Sequence, residues 1–264
     1  YSDGEYGGNG SPILHNVTFI GNSATQWGGA MFNDGYAGLS NPALSNVTFS
    51  GNNAAIYGGA MFNNGSASGA SSPTVSNSTF SGNSAYGGGA MFNFGDSGMS
   101  SPILINVTFN GNSAAGYGGA LSNDGENAGH SSPILKNVIL WGDTGMAPTS
   151  EINNDGNNGG TANPTIDHSV VQGGCPPGSS CTAVLTADPL LGALGNNGGS
   201  TATLLLGTAS SALDAGDDTI CAATPVNGLD QRGVTRPQAS HCDIGAVEME
   251  AITDRIFADG FEQK

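Results

Sequence analysis

Aspartates recur at one position of the repeated segments of this chain, and clustered carboxylates are the groups that bind calcium or hydrolyse glycosidic bonds. Asp124 and Asp155 stand at equivalent positions in consecutive segments, and Asp34 stands at the same position further back. Asn64 and Phe94 occupy it in the segments between, so the acids do not form a continuous row. We predict that these aspartates form turns by accepting backbone hydrogen bonds. Weak Ca²⁺ binding at Asp124 and Asp155 is the alternative, and the sequence indicates no other cofactor.

Basic residues are scarce, which limits the chemistry available. A polysaccharide lyase needs a lysine or arginine as base beside a carboxylate cluster that binds calcium, yet Lys136 is the single basic residue within the repeats. Arg232 and Arg236 lie later, in the segment DQRGVTRP, and we expect them to form ion pairs that fix the C-terminal region. The acidic partners in that region are Asp230, Asp243 and Glu248. We therefore predict no catalytic residues and a protein that is not an enzyme.

Aromatic residues precede the GGA triplet in three of its four copies, namely Trp27, Tyr57 and Tyr117, while Gly87 interrupts the row. Such a row can stack on sugar rings or cover a corner of a hydrophobic core, and the sequence leaves both alternatives open.

The four histidines do not form a metal-binding pattern. His15, His130 and His241 share no repeat position with His168, so we predict no metal site built on histidines. His168 aligns with a column of asparagines, and we expect it to be the buried end of that column.

Most of these residues lie within a sequence repeat, and the fold of that repeat must position them. The GGA triplet begins at Gly28, Gly58, Gly88 and Gly118, a period of 30 residues. A unit of this length cannot bury a core alone and must stack on its neighbours. The units lack helical spacing of apolar residues and alternate in short apolar runs, which indicates strands. The sequence predicts an all-β fold, a right-handed parallel β-helix with coils of about 30 residues; a β-propeller is the alternative, although its blades usually need about 40.

Two columns of identical residues support stacked coils. Asparagine recurs at Asn16, Asn46, Asn77, Asn106 and Asn137, and phenylalanine recurs at Phe19, Phe49, Phe80 and Phe109. We predict that the asparagines form a bend in the left-handed region and an internal hydrogen-bonded ladder, and that the rings stack inside. Most of these asparagines also begin formal N-glycosylation sequons, but an inward side chain cannot carry a glycan. Asn64 lies in a turn and is the sequon that we expect to be accessible.

Composition divides the chain into three parts: repeats over 1–174, C-terminal coils or a cap with disulfides over 175–250, and a tail over 251–264. Four cysteines allow three pairings, and none has the C-x-x-C spacing of a zinc or redox site. We favour Cys175–Cys181 and Cys221–Cys242, which implies an oxidising compartment; free buried thiols are the alternative. With 21 acidic and 5 basic residues the net charge is −16, which disfavours nucleic acid as a partner. No apolar run is long enough to span a membrane.

Two stretches resemble known families. Residues 187–248, which include ADPLLGALGNNGGSTATLLLG, GLDQRGVTRPQ and CDIGAVE, resemble the C-terminal region of bacterial secreted β-helix proteins called choice-of-anchor Q domain proteins. The NVTFSGN and GGAMFN units resemble the repeats of polymorphic outer-membrane proteins. The tail ITDRIFADGFE is similar to sorting tails of some Gram-negative bacteria. The resemblance implies a secreted or surface-displayed protein and brings no catalytic residues.

Together these patterns favour a structural or adhesive protein that is extracellular or on the bacterial cell surface. A carbohydrate-binding module and a polysaccharide lyase or hydrolase are the alternatives. The first residues, YSDG, align with FNDG at 32–35, so the sequence starts within a repeat. On this basis we predict head-to-tail association of subunits into a filament. The residues expected to take part in it are Tyr1, Ile252, Ile256, Phe257 and Phe261.

Overall fold

The computed structural model describes residues 1–146 and 151–250, and it is a parallel β-solenoid of about six turns. In chain order its strands are β1 (Ser2–Asp3), β2 (Ile13–His15), β3 (Thr18–Ile20), β4 (Ser23–Ala24), β5 (Met31–Asp34), β6 (Ala43–Ser45), β7 (Thr48–Ser50), β8 (Asn53–Ala54), β9 (Met61–Asn64), β10 (Thr74–Ser81), β11 (Ser84–Gly87), β12 (Met91–Phe94), β13 (Ile103–Asn110), β14 (Ser113–Tyr117), β15 (Leu121–Asp124), β16 (Ile134–Lys136), β17 (Ile139–Trp141), β18 (Ile152–Asp155), β19 (Thr165–Val171) and β20 (Ser180–Leu185). One short helix, α1 (Asp218–Ala222), follows.

The strands form three parallel sheets that make up the sides of the solenoid. The first sheet has the order β1-β5-β9-β12-β15-β18 and is built from the MFN segments. The second has ten strands, from β2 to β20, and is built from the segments after the prolines, while the third is β14-β11-β8-β4. Met31 pairs with Met61, and Met61 with Met91, so the sequence period of 30 residues is also the register between coils. The predicted parallel solenoid is confirmed.

Side chains alternate between the interior and the outside along each strand. In β9, Met61 and Asn63 are fully buried in the solenoid, whereas Phe62 contacts rings on the outer side. In the second sheet the predicted phenylalanine stack is confirmed, with ring centroids of neighbouring coils 4.6 to 4.8 Å apart. Its members are Phe19, Phe49, Phe80 and Phe109.

The asparagine column beside this stack is a bend, but it is not the predicted internal ladder. All five asparagines have φ between 45° and 56°, which is the left-handed region that asparagine tolerates. The bend turns their side chains away from the interior. Asn77 Nδ2 donates to the carbonyl of Leu229 at 3.0 Å, and Asn137 Oδ1 accepts from the backbone N–H of Asp217 at 3.0 Å. Within the column, Asn46 donates to Asn16, and Asn106 donates to Asn77.

Two other asparagine columns form the internal ladders. One runs through the first sheet, with amide-to-oxygen distances of 2.7 to 2.9 Å: Asn33, Asn63, Asn93, Asn123 and Asn154. The other lies at the corner between the second and third sheets, with distances of 2.7 to 2.8 Å: Asn22, Asn52, Asn83, Asn112 and Asp143. Each ladder provides hydrogen bonds between buried amides of neighbouring coils.

After β20 the chain does not continue the stack of coils. Within the range 175–250, β20 adds one more strand to the stack, as expected. Residues 186–250, the flank segment, form no further coil and lie along the outer side of the second sheet. Gln231 Nε2 donates to Thr48 Oγ1 at 2.9 Å, and its Oε1 accepts from Thr79 Oγ1 at 2.7 Å. Further along, Thr108 Oγ1 accepts from the backbone N–H of Ala246 at 3.0 Å.

The flank segment adds a second, smaller hydrophobic core. It consists of Ile139, Val170, Leu206, Ala212 and Ile244. The outward threonines of the second sheet are therefore buried where this segment covers them.

Both predicted disulfides are present. Cys175–Cys181 closes a loop before β20, and Cys221–Cys242 joins α1 to the end of the flank segment. Across residues 1–146 and 151–250, no helix has the length and hydropathy needed to cross a bilayer.

Candidate functional site

A cluster of rings, which we call the aromatic face, covers the outer side of the first sheet and the adjoining end of the third sheet. It consists of Trp27, Phe32, Tyr57, Phe62, Tyr86, Phe92, Phe94 and Tyr117. Trp27 stacks on Phe62 with ring centroids 5.7 Å apart, and Tyr57 stacks on Phe92 at 4.3 Å. The row predicted from the sequence thus covers an outer layer of phenylalanines rather than the solenoid core. Trp27 remains 39 % exposed and Tyr86 49 % exposed.

Gly87 accounts for the gap in the row. Tyr57 and Tyr117 lie two coils apart, but their rings approach across the missing side chain and their hydroxyls are 3.3 Å apart. A Cβ at position 87 would lie 2.8 Å from the Tyr117 ring and 3.1 Å from the Tyr57 ring. Burial raises the pKa of the Tyr117 hydroxyl above its ordinary value. The rings of Tyr57 and Tyr117 therefore fill the gap that Gly87 leaves in the row.

Substitution Gly87→Ala should push these rings apart and break the contact between their hydroxyls. We expect a loss of about 1–2 kcal/mol in the free energy of unfolding, which is typical of overpacking, measured by urea denaturation. Gly195→Ala is the matched control, because the nearest atom to its Cβ would be 3.9 Å away. Equal effects of the two substitutions would contradict this account of the gap.

The acidic column borders the aromatic face and forms turns, as predicted. Asp34, Asn64 and Asp124 each accept a hydrogen bond from the backbone N–H two residues ahead, at 3.2 to 3.3 Å. Burial raises the pKa of Asp124 to about 6. Asp155 pairs with Asp124 in the next coil. Weak Ca²⁺ binding at these two residues stays a prediction, and so does glycosylation of Asn64, whose side chain donates to Asp34 at 2.9 Å.

The two arginines form the expected ion pairs. Arg232 Nε lies 2.9 Å from Asp230 Oδ2, and Arg236 lies 3.5 Å from Glu248 Oε2. Arg236 is buried and also donates to the carbonyls of Asp243 and Gly245, at 2.7 and 2.8 Å. Burial raises the pKa of Glu248 to about 7. These contacts hold the flank segment together.

One cluster was missed by the sequence analysis. Asp167, His168 and Asp217 each offer a ligand atom, and these atoms lie within 4.8 Å of one another. His168 has φ of 42°, which places it in the asparagine column as expected, but its side chain is 35 % exposed rather than buried. Its Nδ1 is 2.9 Å from Asp167. Asp217 comes from the flank segment, so only the folded chain brings the three together.

The residues predicted for self-assembly are only partly described. The Tyr1 hydroxyl donates to Asp34 Oδ2 at 2.9 Å, and its ring lies edge-on to Phe32. Ile252, Ile256, Phe257 and Phe261 lie outside the described residues.

Comparisons with protein-family models, with curated proteins and with solved structures found no match to this chain. Its function must therefore be argued from its own geometry.

Proposed function

We propose that this chain is a non-enzymatic structural or adhesive protein, extracellular or on a bacterial cell surface, which contacts its target through the aromatic face. The observation that carries the proposal is that exposed rings lie between the third and first sheets of a regular solenoid, on the same face as the turn-forming amides and carboxylates of the acidic column. Trp27 and Tyr86 offer apolar ring surface, and Asp34, Asn64 and Asp124 offer polar groups in the adjoining column. The two disulfides support an oxidising compartment.

The contacts between coils support a rigid solenoid, which would hold the rings of the aromatic face in fixed positions. Each buried asparagine in a ladder bonds to its counterpart in the next coil, so neighbouring coils are joined by side chains as well as by backbone. The flank segment adds contacts along several coils on another side. A surface of this kind can repeat the same contact along its length, which suits adhesion to a repetitive target.

Carbohydrate is the target class that the aromatic face favours. Aromatic rings present a large apolar surface with little conformational freedom to lose, and neighbouring carboxylates and amides can accept and donate hydrogen bonds to hydroxyls. The carboxylates of Asp34 and Asp124 already accept hydrogen bonds from backbone groups of their turns. Arg232 and Arg236 form ion pairs within the flank segment. These contacts support binding without catalysis.

The test is retention of the full chain on insoluble polysaccharides such as chitin, cellulose and peptidoglycan. We expect binding to at least one of them without release of reducing ends or unsaturated sugars. The double variant Trp27→Ala/Tyr86→Ala should bind on the order of ten times more weakly, since each stacked ring contributes about 0.5–1.5 kcal/mol. Tyr6→Ala is the control, because Tyr6 is 78 % exposed and lies outside the aromatic face.

Binding that is unchanged in the double variant would exclude the aromatic face as the contact surface. Product release that follows binding would show an enzyme and contradict the proposal. The head-to-tail filament stays a prediction, and light scattering of the full chain across concentrations measures it.

A further inference from the structure

The asparagine ladder at the corner between the second and third sheets ends on a carboxylate. Its last acceptor is Oδ1 of Asp143, which lies 2.7 Å from Nδ2 of Asn112. Amides within the ladder also donate to a phenylalanine carbonyl one coil back, as Asn112 does to Phe80 at 3.1 Å. Asp143 has an oxygen, Oδ2, where the other members have this amide nitrogen. That oxygen is buried and has no hydrogen-bond donor.

A second buried carboxyl group faces Asp143. Glu151 lies opposite Ala120, because the residue after it, Ile152, pairs with Leu121. The corresponding residue in every earlier coil with this segment is alanine: Ala30, Ala60, Ala90 and Ala120. Glu151 is only 3 % exposed, and its carboxyl group lies close enough to that of Asp143 for the two to share one proton. A glutamate therefore stands in a column otherwise occupied by methyl groups.

The two groups are costly to ionise in this place. Burial is the first cause that raises the pKa of each, and the charge of Asp143 raises the pKa of Glu151 further. Asp143 is the titratable group that faces Glu151. When both groups are ionised, Oδ2 of Asp143 and the Glu151 oxygens have no side-chain donor among the described residues. Two such carboxylates destabilise the fold unless a proton or a cation lies between them.

A small cavity open to the surface adjoins Glu151. Its volume is about 80 Å³, and it is lined by Glu151, Ile152 and the loop 172–177, most of which is exposed. The cavity has room for an ion with bound water.

We propose that Asp143 and Glu151 together bind one Ca²⁺ ion at the end of this ladder. The protein ligands are Oδ2 of Asp143 and both carboxylate oxygens of Glu151, and water from the cavity completes the shell. Ca²⁺ takes oxygen ligands, accepts a bidentate carboxylate and tolerates irregular geometry, whereas Mg²⁺ demands an octahedron. The net charge of −16 also favours a cation. This site is separate from Asp124 and Asp155, which lie on the outer side of the first sheet.

The test compares melting temperatures of the calcium-free full chain with and without about 10 mM CaCl₂ near pH 8. We expect wild type to gain about 4 °C, as a site with millimolar or tighter affinity would give. Titration calorimetry should find one ion per chain. Asp143→Asn and Glu151→Gln should lose this gain. Asp124→Asn is the matched control and should keep it.

The same variants separate the cation from a trapped proton. Without calcium, Asp143→Asn should melt higher than wild type, because an amide at 143 can donate to the Phe109 carbonyl as other rungs do and because the substitution removes a buried charge. A gain below about 1 °C in wild type, or an equal gain in both variants, overturns the proposal.

Discussion

Truncation of Phe80 to alanine is expected to lower the free energy of unfolding by about 3–5 kcal/mol. The Phe80 ring is fully buried and stacks on Phe49 and Phe109, with centroids 4.6 and 4.7 Å away. Removing it deletes both contacts and leaves a cavity in the middle of the solenoid. The surrounding coils are held in register by backbone hydrogen bonds on both sides, so they can close the cavity only in part. Urea denaturation followed by circular dichroism measures the loss.

Phe19→Ala is the matched control. Phe19 is half-buried and has one stacked neighbour, Phe49, at 4.8 Å, so its truncation should cost clearly less. A loss below about 1 kcal/mol for Phe80→Ala would contradict a packed stack. Because coils interact mainly with their neighbours, a broadened transition with a lower m-value would indicate that the solenoid has begun to unfold in parts.

Arg236→Met should have the second large effect, a loss of about 3–5 kcal/mol, because it leaves a buried acid without its partner. The carbonyls of Asp243 and Gly245 lose their donor as well. The guanidinium lowers the pKa of Glu248, so its removal raises that pKa further above the present value of about 7. The folded variant then binds a proton that the unfolded chain releases, and the loss should grow as the pH rises above 7. Denaturation at several pH values measures both effects.

His241→Gln is the control for this prediction. His241 and Asp218 are 2.9 Å apart, closer than Arg236 and Glu248, but their side chains are 59 % and 43 % exposed, so the change should cost at most about 1 kcal/mol. Limited proteolysis is a second measurement. In Arg236→Met, the protease should cleave mainly within the flank segment, while the coils of the solenoid should resist cleavage. A loss for Arg236→Met as small as that for the control would show that the buried ion pair does not fix this segment.

The solenoid was predictable because the repeat dictates it. A unit of 30 residues with short alternating runs has few ways to bury its apolar side chains, and identical residues at a constant period must stack. The phenylalanine stack, the turn role of Asp34 and Asp124, the left-handed bend at Asn16 and its counterparts, and both disulfides all follow from local spacing. The stack, the turns and the bend depend on neighbours in the chain or in the next coil, which the repeat already specifies, whereas the disulfides join cysteines that lie outside the repeats and close together in the chain.

Which asparagine column lies inside was decided only by the tertiary structure. Three columns contain asparagine at nearly constant period, and their one-dimensional patterns are alike. The left-handed φ at Asn77 turns its side chain outward, whereas Asn63 and Asn83 lie at positions whose side chains point inward and bond to the next coil. A bend of one residue reverses the direction of every side chain after it. The alternation of apolar and polar residues therefore could not show by itself which side chains point into the solenoid.

By itself, the sequence determined the repeating unit, its stacking and the residues that recur within it. Only the tertiary structure decided where the flank segment lies, because that segment has no repeat and packs through single contacts such as Gln231 with Thr48. The tertiary structure also brings His168 close to Asp217, and Asp143 close to Glu151. The physical reason is the same in each case: these contacts join residues at irregular separations, which no period in the sequence encodes.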